Sequence, residues 1–165
     1  MFSHAFAAGA LLGTAISPLV CVSAAERSPV AAAEDVVARV TPSAKGSVLF
    51  HLNPDQGNKI TISGIAGGIR VEASDVRRLV AGYGWYLKNI AKVHFSWNGN
   101  RIMLPSPLPV PVSPVTVESP WNIVFAYNYC TLSYTAAFWD WNRWQREIDF
   151  LALNGFTHAL VTAGL

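Results

Sequence analysis

Hydrophobic and polar positions divide this chain into two patterned halves separated by a proline-rich stretch. In the first half, Val36, Val37 and Val40 share one face of a helix predicted over Glu34–Val40, which ends before Pro42. Ser47–Leu52 alternates as a strand, and Asn53-Pro54-Asp55-Gln56-Gly57 is a cluster of turn formers. Ile60, Ile62 and Ile65 predict a strand over Lys59–Ile65, and a break at Gly67-Gly68 precedes a short strand over Ile69–Glu72. Ser74 suits the N-cap of a second helix, with Asp75 in its first turn, because side-chain oxygens there accept from free backbone N–H groups. Val76, Leu79, Val80, Tyr83, Leu87 and Ile90 keep helical spacing in it. Gly82 and Gly84 weaken that helix by roughly 1 kcal/mol each relative to Ala, a cost that suits close packing onto a sheet. Val93–Trp97 is the next strand, Asn98-Gly99 a hairpin turn and Arg101–Leu104 the returning strand.

Pro105, Pro107, Pro109, Pro111, Pro114 and Pro120 then follow, a spacing that forbids a helix and favours an extended linker. The expected organisation is a small α+β domain over 33–104, a linker over 105–120 and a second domain over 121–165. In that second domain two apolar runs, Ile123–Ala126 and His158–Thr162, flank a helix-like block, the pattern of a parallel strand–helix–strand crossover. Trp141, Trp144, Ile148 and Leu151 recur at helical spacing and predict a buried stripe packed on a sheet. Arg143 and Glu147, and Arg146 and Asp149, are spaced to pair on the solvent side. Asp140 suits the helix start, and Asn154-Gly155 the stop. Trp139, near the helix start, is the candidate for stacking on a sugar.

Composition narrows the function classes. The chain is 52% hydrophobic and 13% charged, enough for a core, and its net charge of +2 gives no electrostatic support for nucleic-acid binding. Its aromatic residues concentrate in the second half. Residues 1–25 read as a signal peptide, with an uncleaved anchor as the competing reading: an apolar, small-residue stretch interrupted by Pro18 closes on Val22-Ser23-Ala24, although no Lys or Arg precedes it. That implies a secreted protein or one of a lysosome- or vacuole-like compartment. No other stretch is long and apolar enough to span a bilayer, so no membrane association is expected after cleavage. Cys21 would leave with the signal, and Cys130 would then have no partner. His4, His51, His94 and His158 show no ligand spacing, so neither a metal nor a cofactor is expected.

In a parallel α/β fold, ligands bind at the carboxyl ends of strands. That rule places Asn128, Tyr129 and Cys130 at the mouth of the first strand of the second domain, and Ala163-Gly164 at the mouth of the second. Asn128 offers a donor and an acceptor suited to sugar hydroxyls, with loop capping as the competing role. Cys130 has no base nearby in sequence and reads as a pocket wall. Glycoside hydrolysis needs two carboxylates. Asp140, Glu147 and Asp149 lie on the helix and read as a solvated face, and Glu118 lies in the linker, so no catalytic residue is assigned.

The run Asn128-Tyr129-Cys130-Thr131, with Ser133-Tyr134, Phe138-Trp139-Asp140-Trp141, Trp144, Glu147-Ile148-Asp149 and Ala152-Leu153-Asn154-Gly155, resembles the lysosomal-type alpha-N-acetylglucosaminidase family. Gly64–Leu104 is similar to that family's N-terminal domain, more weakly. The resemblance implies a small N-terminal α/β domain followed by the first βαβ unit of a truncated (β/α)8 TIM barrel. It implies a retaining exo-glycosidase that removes terminal alpha-linked N-acetylglucosamine from glycans such as heparan sulfate. The family's two catalytic glutamates fall on later barrel strands, so this piece is expected to be inactive alone. Asn128 and Cys130 match residues that line the family's sugar pocket. A glycan is the implied partner, and the resemblance allows a homo-oligomeric full-length form. A secreted, non-catalytic carbohydrate-binding or interaction module, and a piece of another exo-glycosidase family, are the alternatives.

Overall fold

The structure is a computed structural model that describes residues 27–97 and 99–161. The expected signal peptide, Cys21 and the second strand mouth at Ala163-Gly164 lie outside the described residues.

Helix α1 (Ala31–Val40) buries Ala33, Val36, Val37 and Val40 and ends where Pro42 opens a 3-10 turn. Strand β1 (Val48–Leu52) follows, then a turn over Pro54–Gln56, strands β2 (Lys59–Ile65) and β3 (Gly68–Ala73), and helix α2 (Val76–Asn89). β3 runs parallel to β1, with Val48 beside Ile69 and Leu52 beside Ala73, and antiparallel to β2, with Ile62 beside Val71. The strands alternate as their sequences do. Ile60, Ile62, Ile69, Val71 and Ala73 point into a core that α1 and α2 cover, while Arg70 and Glu72 stay on the other face. Tyr83 and Tyr86 fill the centre of that core. The Tyr83 hydroxyl meets Thr41 Oγ1 at 2.6 Å, and burial pushes both phenols up to about 12.

Several boundaries differ from expectation, α1 beginning at Ala31 rather than Glu34 among them. The α2 cap is Asp75, whose carboxylate accepts the Arg78 N–H at 2.9 Å, while Ser74 Oγ donates to Gly57 O at 2.6 Å. A carboxylate is the stronger acceptor at the positive end of a helix, so it takes the cap and shifts the start by one residue. The hairpin is β4 (His94–Ser96) with β5 (Gly99–Arg101), so its return runs from the turn glycine to Arg101 rather than over Arg101–Leu104.

The larger correction concerns 105–120. That segment is not a free linker: β6 (Val115–Glu118) adds to the sheet antiparallel to β2, giving the order β1-β3-β2-β6. Leu108 packs against the core, and Pro109 O accepts the Tyr86 hydroxyl at 2.9 Å. The prolines forbid a helix but leave Val115-Thr116-Val117-Glu118 free of proline, and an edge strand needs only that.

The second half contains strand β7 (Phe125–Ala126), helix α3 (Trp141–Leu153) and strand β8 (His158–Ala159). β7 and β8 are parallel, with Phe125 beside His158 and Ala126 beside Ala159, so this is a βαβ unit; no closed barrel exists among the described residues. Helix α3 lies against α2, and Leu153 enters the main core. The expected stripe does not face that contact. Trp141 is 66% and Ile148 50% exposed, while Glu147 at 0% and Asp149 at 3% are buried. Spacing identifies an apolar face but not which face meets a neighbour. Here the neighbour offers Arg39, Trp97 and Tyr127, donors that acids satisfy and apolar groups would not.

Gly84 permits the α2–α3 approach, since a Cβ there would lie 1.8 Å from Leu153 O, and Gly82 permits the approach to Ile60 and Val71. Gly84→Ala should therefore lower unfolding stability by about 1–3 kcal/mol through overpacking, against the roughly 1 kcal/mol that Ala gains in a free helix. Urea unfolding followed by circular dichroism reads the sign, and a stabilised variant would contradict the contact.

Candidate functional site

β7 ends at the buried Ala126, and the chain turns at once through Tyr127, whose φ of 73° is left-handed. Asn128 comes next, at the carboxyl end of the strand. Its Oδ1 accepts the Cys130 N–H at 3.0 Å and the Thr131 hydroxyl at 3.3 Å, while Thr131 Oγ1 accepts the Asn128 N–H at 3.3 Å. The Asn128 oxygen thus caps its own loop, an Asx-type turn. Asn128 is exposed, and Cys130 is half-buried with a free thiol. Both residues stand at the strand mouth, and the turn fixes how they are presented.

Beneath this loop lies a carboxylate that spacing had assigned to solvent. Glu147 Oε1 accepts the Tyr127 hydroxyl at 2.5 Å and the Trp97 indole N–H at 2.9 Å, and Oε2 accepts from Arg143 Nη1 at 2.9 Å. Burial, and then the adjacent Glu147, hold the Tyr127 phenol well above its usual value. The Arg143 guanidinium lies 3.8 Å from the centroid of the Trp139 ring, a cation–π contact. Trp139 also meets Trp144 edge-on at 5.0 Å and Trp97 at 6.5 Å. Trp139, the expected sugar stacker, is therefore built into the Glu147 cluster, with Arg143 over its ring.

Asp149 is the second buried acid. Arg39 Nε donates to Oδ2 at 2.8 Å and Nη2 to Oδ1 at 2.6 Å, a bidentate pair that joins α1 to α3 and raises the Arg39 pKa chiefly through those hydrogen bonds. Arg146 does not pair with Asp149 as spacing suggested. It donates to Ser96 O at 2.6 Å and Asn100 Oδ1 at 2.9 Å and so holds the β4–β5 hairpin on α3. Neither acid was legible as a site residue. The signal available was that Glu147 falls three after Trp144 and four before Leu151, on the edge of the apolar stripe itself.

A cavity of about 420 Å³ opens on the opposite side, where Val124 and Thr157 precede β7 and β8. It lies at the amino ends of the strands, the rim that parallel α/β folds do not use for chemistry. No group of three or more His, Cys, Asp and Glu that could hold a metal occurs among the described residues.

Two family models match the chain in sequence order. The alpha-N-acetylglucosaminidase (NAGLU) N-terminal domain takes residues 31–110, and the tim-barrel domain of the same family takes 124–165. The chain belongs to the alpha-N-acetylglucosaminidase family. Among curated proteins it is similar to the alpha-N-acetylglucosaminidase of Homo sapiens, 40% identical over 101 residues, which is 61% of this chain and 14% of that one. Among solved structures it is similar to a Clostridium perfringens family 89 glycoside hydrolase. In complex with 2-acetamido-1,2-dideoxynojirmycin, that protein superposes with a TM-score of 0.77 at 26% identity, over 82% of this chain and 16% of that one. A variant of the Clostridium perfringens protein in complex with its substrate GlcNAc-alpha-1,4-galactose gives a TM-score of 0.76 at 25% identity, over 81% and 16%. This chain thus spans about one-seventh of the human family member and about one-sixth of the bacterial one. The mixed α/β unit and the partial barrel of the fold are those of the family.

The Arg39–Asp149 pair ties the stretch matched as the N-terminal domain to the stretch matched as barrel. Arg39→Ala leaves a buried carboxylate unpaired and should cost about 3 kcal/mol or more. Arg27→Ala, at the exposed Arg27–Asp35 pair, should cost less than about 1 kcal/mol. Equal losses in urea unfolding would contradict the burial of Asp149.

Proposed function

We propose that this chain supplies the N-terminal unit and the first barrel unit of an alpha-N-acetylglucosaminidase that removes terminal alpha-linked N-acetylglucosamine, and that Asn128 and Cys130 line its sugar pocket. Family membership, combined with the place of Asn128 and Cys130 at the carboxyl end of β7, carries the reading. The Clostridium perfringens relative is a glycoside hydrolase bound to a GlcNAc-containing substrate, which supports a glycan as the partner of this chain. The composition of residues 1–25 supports an extracellular or lysosome-like location.

Retaining hydrolysis needs an acid/base and a nucleophilic carboxylate about 5 Å apart on either side of the scissile bond. Glu147 is held by three donors and Asp149 by Arg39, so both are spoken for structurally and neither is free to act. The chain by itself is therefore a sugar-binding part without turnover.

The experiment is a titration of the isotopically labelled chain with N-acetylglucosamine, followed by backbone amide resonances. Shifts centred on residues 126–131, lost in Asn128→Ala, are expected, with no release of N-acetylglucosamine from an aryl alpha-glycoside. Shifts confined to residues 33–104 would favour a separate carbohydrate-binding module instead, and turnover by the chain would overturn the incomplete site.

A further inference from the structure

We propose that the N-terminal unit sets the shape of the sugar-pocket loop through one oxygen atom. Trp97 of the β4–β5 hairpin and Tyr127 at the end of β7 both donate to Glu147 Oε1, which makes Trp97 and Glu147 positioning residues for Asn128 and Cys130. This rests on the reading of that loop as a sugar site, but its test does not use sugar.

The loop has two separable determinants. The Asx turn of Asn128 is local and forms from the sequence Asn-Tyr-Cys-Thr wherever the loop points. Its direction relative to the strand is set one residue earlier, by the left-handed Tyr127. A non-glycine residue in that region costs on the order of 1 kcal/mol and persists only where its surroundings hold it. Among the described residues, the side-chain hydrogen bond that holds Tyr127 is the one from its hydroxyl to Glu147. Glu147 is itself fully buried, so it must keep its donors or draw in water. Arg143 lies one turn away on the same helix and fixes Oε2. The donor that reaches Oε1 from outside the βαβ unit is the Trp97 indole, whose ring sits 6.3 Å from Phe150 on α3. Arg146 clamps the backbone of that hairpin to the same helix. Hairpin, helix and strand end therefore meet on one carboxylate, and the strained residue that aims the loop is the third party to it.

Cys130 reports on the loop directly. In the full chain with Cys21→Ser, Cys130 is the sole thiol, and its rate of reaction with a soluble aromatic disulfide reports how far the loop exposes this half-buried side chain. Trp97→Phe keeps an aromatic ring, though a smaller one, and removes the N–H donor, and Tyr127→Phe removes the other donor to Oε1. Each should raise the thiol rate about tenfold, the opening expected from losing one hydrogen bond to a buried charge. Thr41→Ala loosens the N-terminal core at Tyr83 without touching Glu147 and should leave the rate unchanged. Circular dichroism confirms that the overall helix content is kept in each. An unchanged rate in Trp97→Phe, or an equal rise in Thr41→Ala, overturns the proposal. Failure of N-acetylglucosamine to bind with these rates as expected would count against the sugar reading alone.

Discussion

The structure depends on two acids that α3 buries against the rest of the chain. An ionised carboxylate without partners in a dry interior is too costly to persist. Glu147 and Asp149 therefore demand donors, and besides Arg143 on α3 itself those donors come from three places elsewhere in the chain: α1 through Arg39, the β4–β5 hairpin through Trp97, and the end of β7 through Tyr127. Apolar burial could have tolerated a shift of α3 along or around its axis. Hydrogen bonds of 2.5–2.9 Å to named oxygens do not. The acids thus fix the rotation and height of the helix, and Leu153 beside Gly84 fills what remains of the contact.

The place of the proposed sugar loop follows from where that helix sits. A barrel presents its chemistry at the carboxyl ends of its strands, and α3 begins at that end and descends. Its first two turns carry Arg143 and Glu147 directly below the loop that holds Asn128 and Cys130. The βαβ unit is thereby attached to the N-terminal unit at the end where sugar is expected, and not merely through the remote Leu153 contact. The opposite face of α3, with Trp141 and Ile148, is apolar and uncovered in the described residues. The large cavity at the amino ends of β7 and β8 belongs to the rim that holds the fold together.

Much of the fold was legible in the sequence. The alternation of Ile60 and Ile62, the helical spacing of Leu79, Tyr83 and Leu87, and the strand–helix–strand order after residue 120 all reappear. So does the family, whose motif from Asn128 to Gly155 lies in a stretch matched to its barrel domain. What periodicity missed was direction. The stripe Trp141, Trp144, Ile148, Leu151 is real, yet its neighbours Glu147 and Asp149 are the residues turned inward, because burial of a charge depends on partners far away in sequence. Arg39 lies 110 residues from Asp149 and Trp97 lies 50 from Glu147. The strand inside the proline-rich segment was hidden for a similar reason: a four-residue alternation becomes a strand only when an edge such as β2 is there to receive it.

The N-terminal unit and the first barrel unit thus fold as one body joined through these acids. Native-state hydrogen exchange across a urea series tests it most directly, by comparing the amides of Tyr86 and Leu87 in α2 with those of Phe150 and Leu153 in α3. One shared opening free energy and one shared urea dependence are expected for both helices. Exchange of the α3 amides through a smaller, separate opening while α2 stays protected would contradict it.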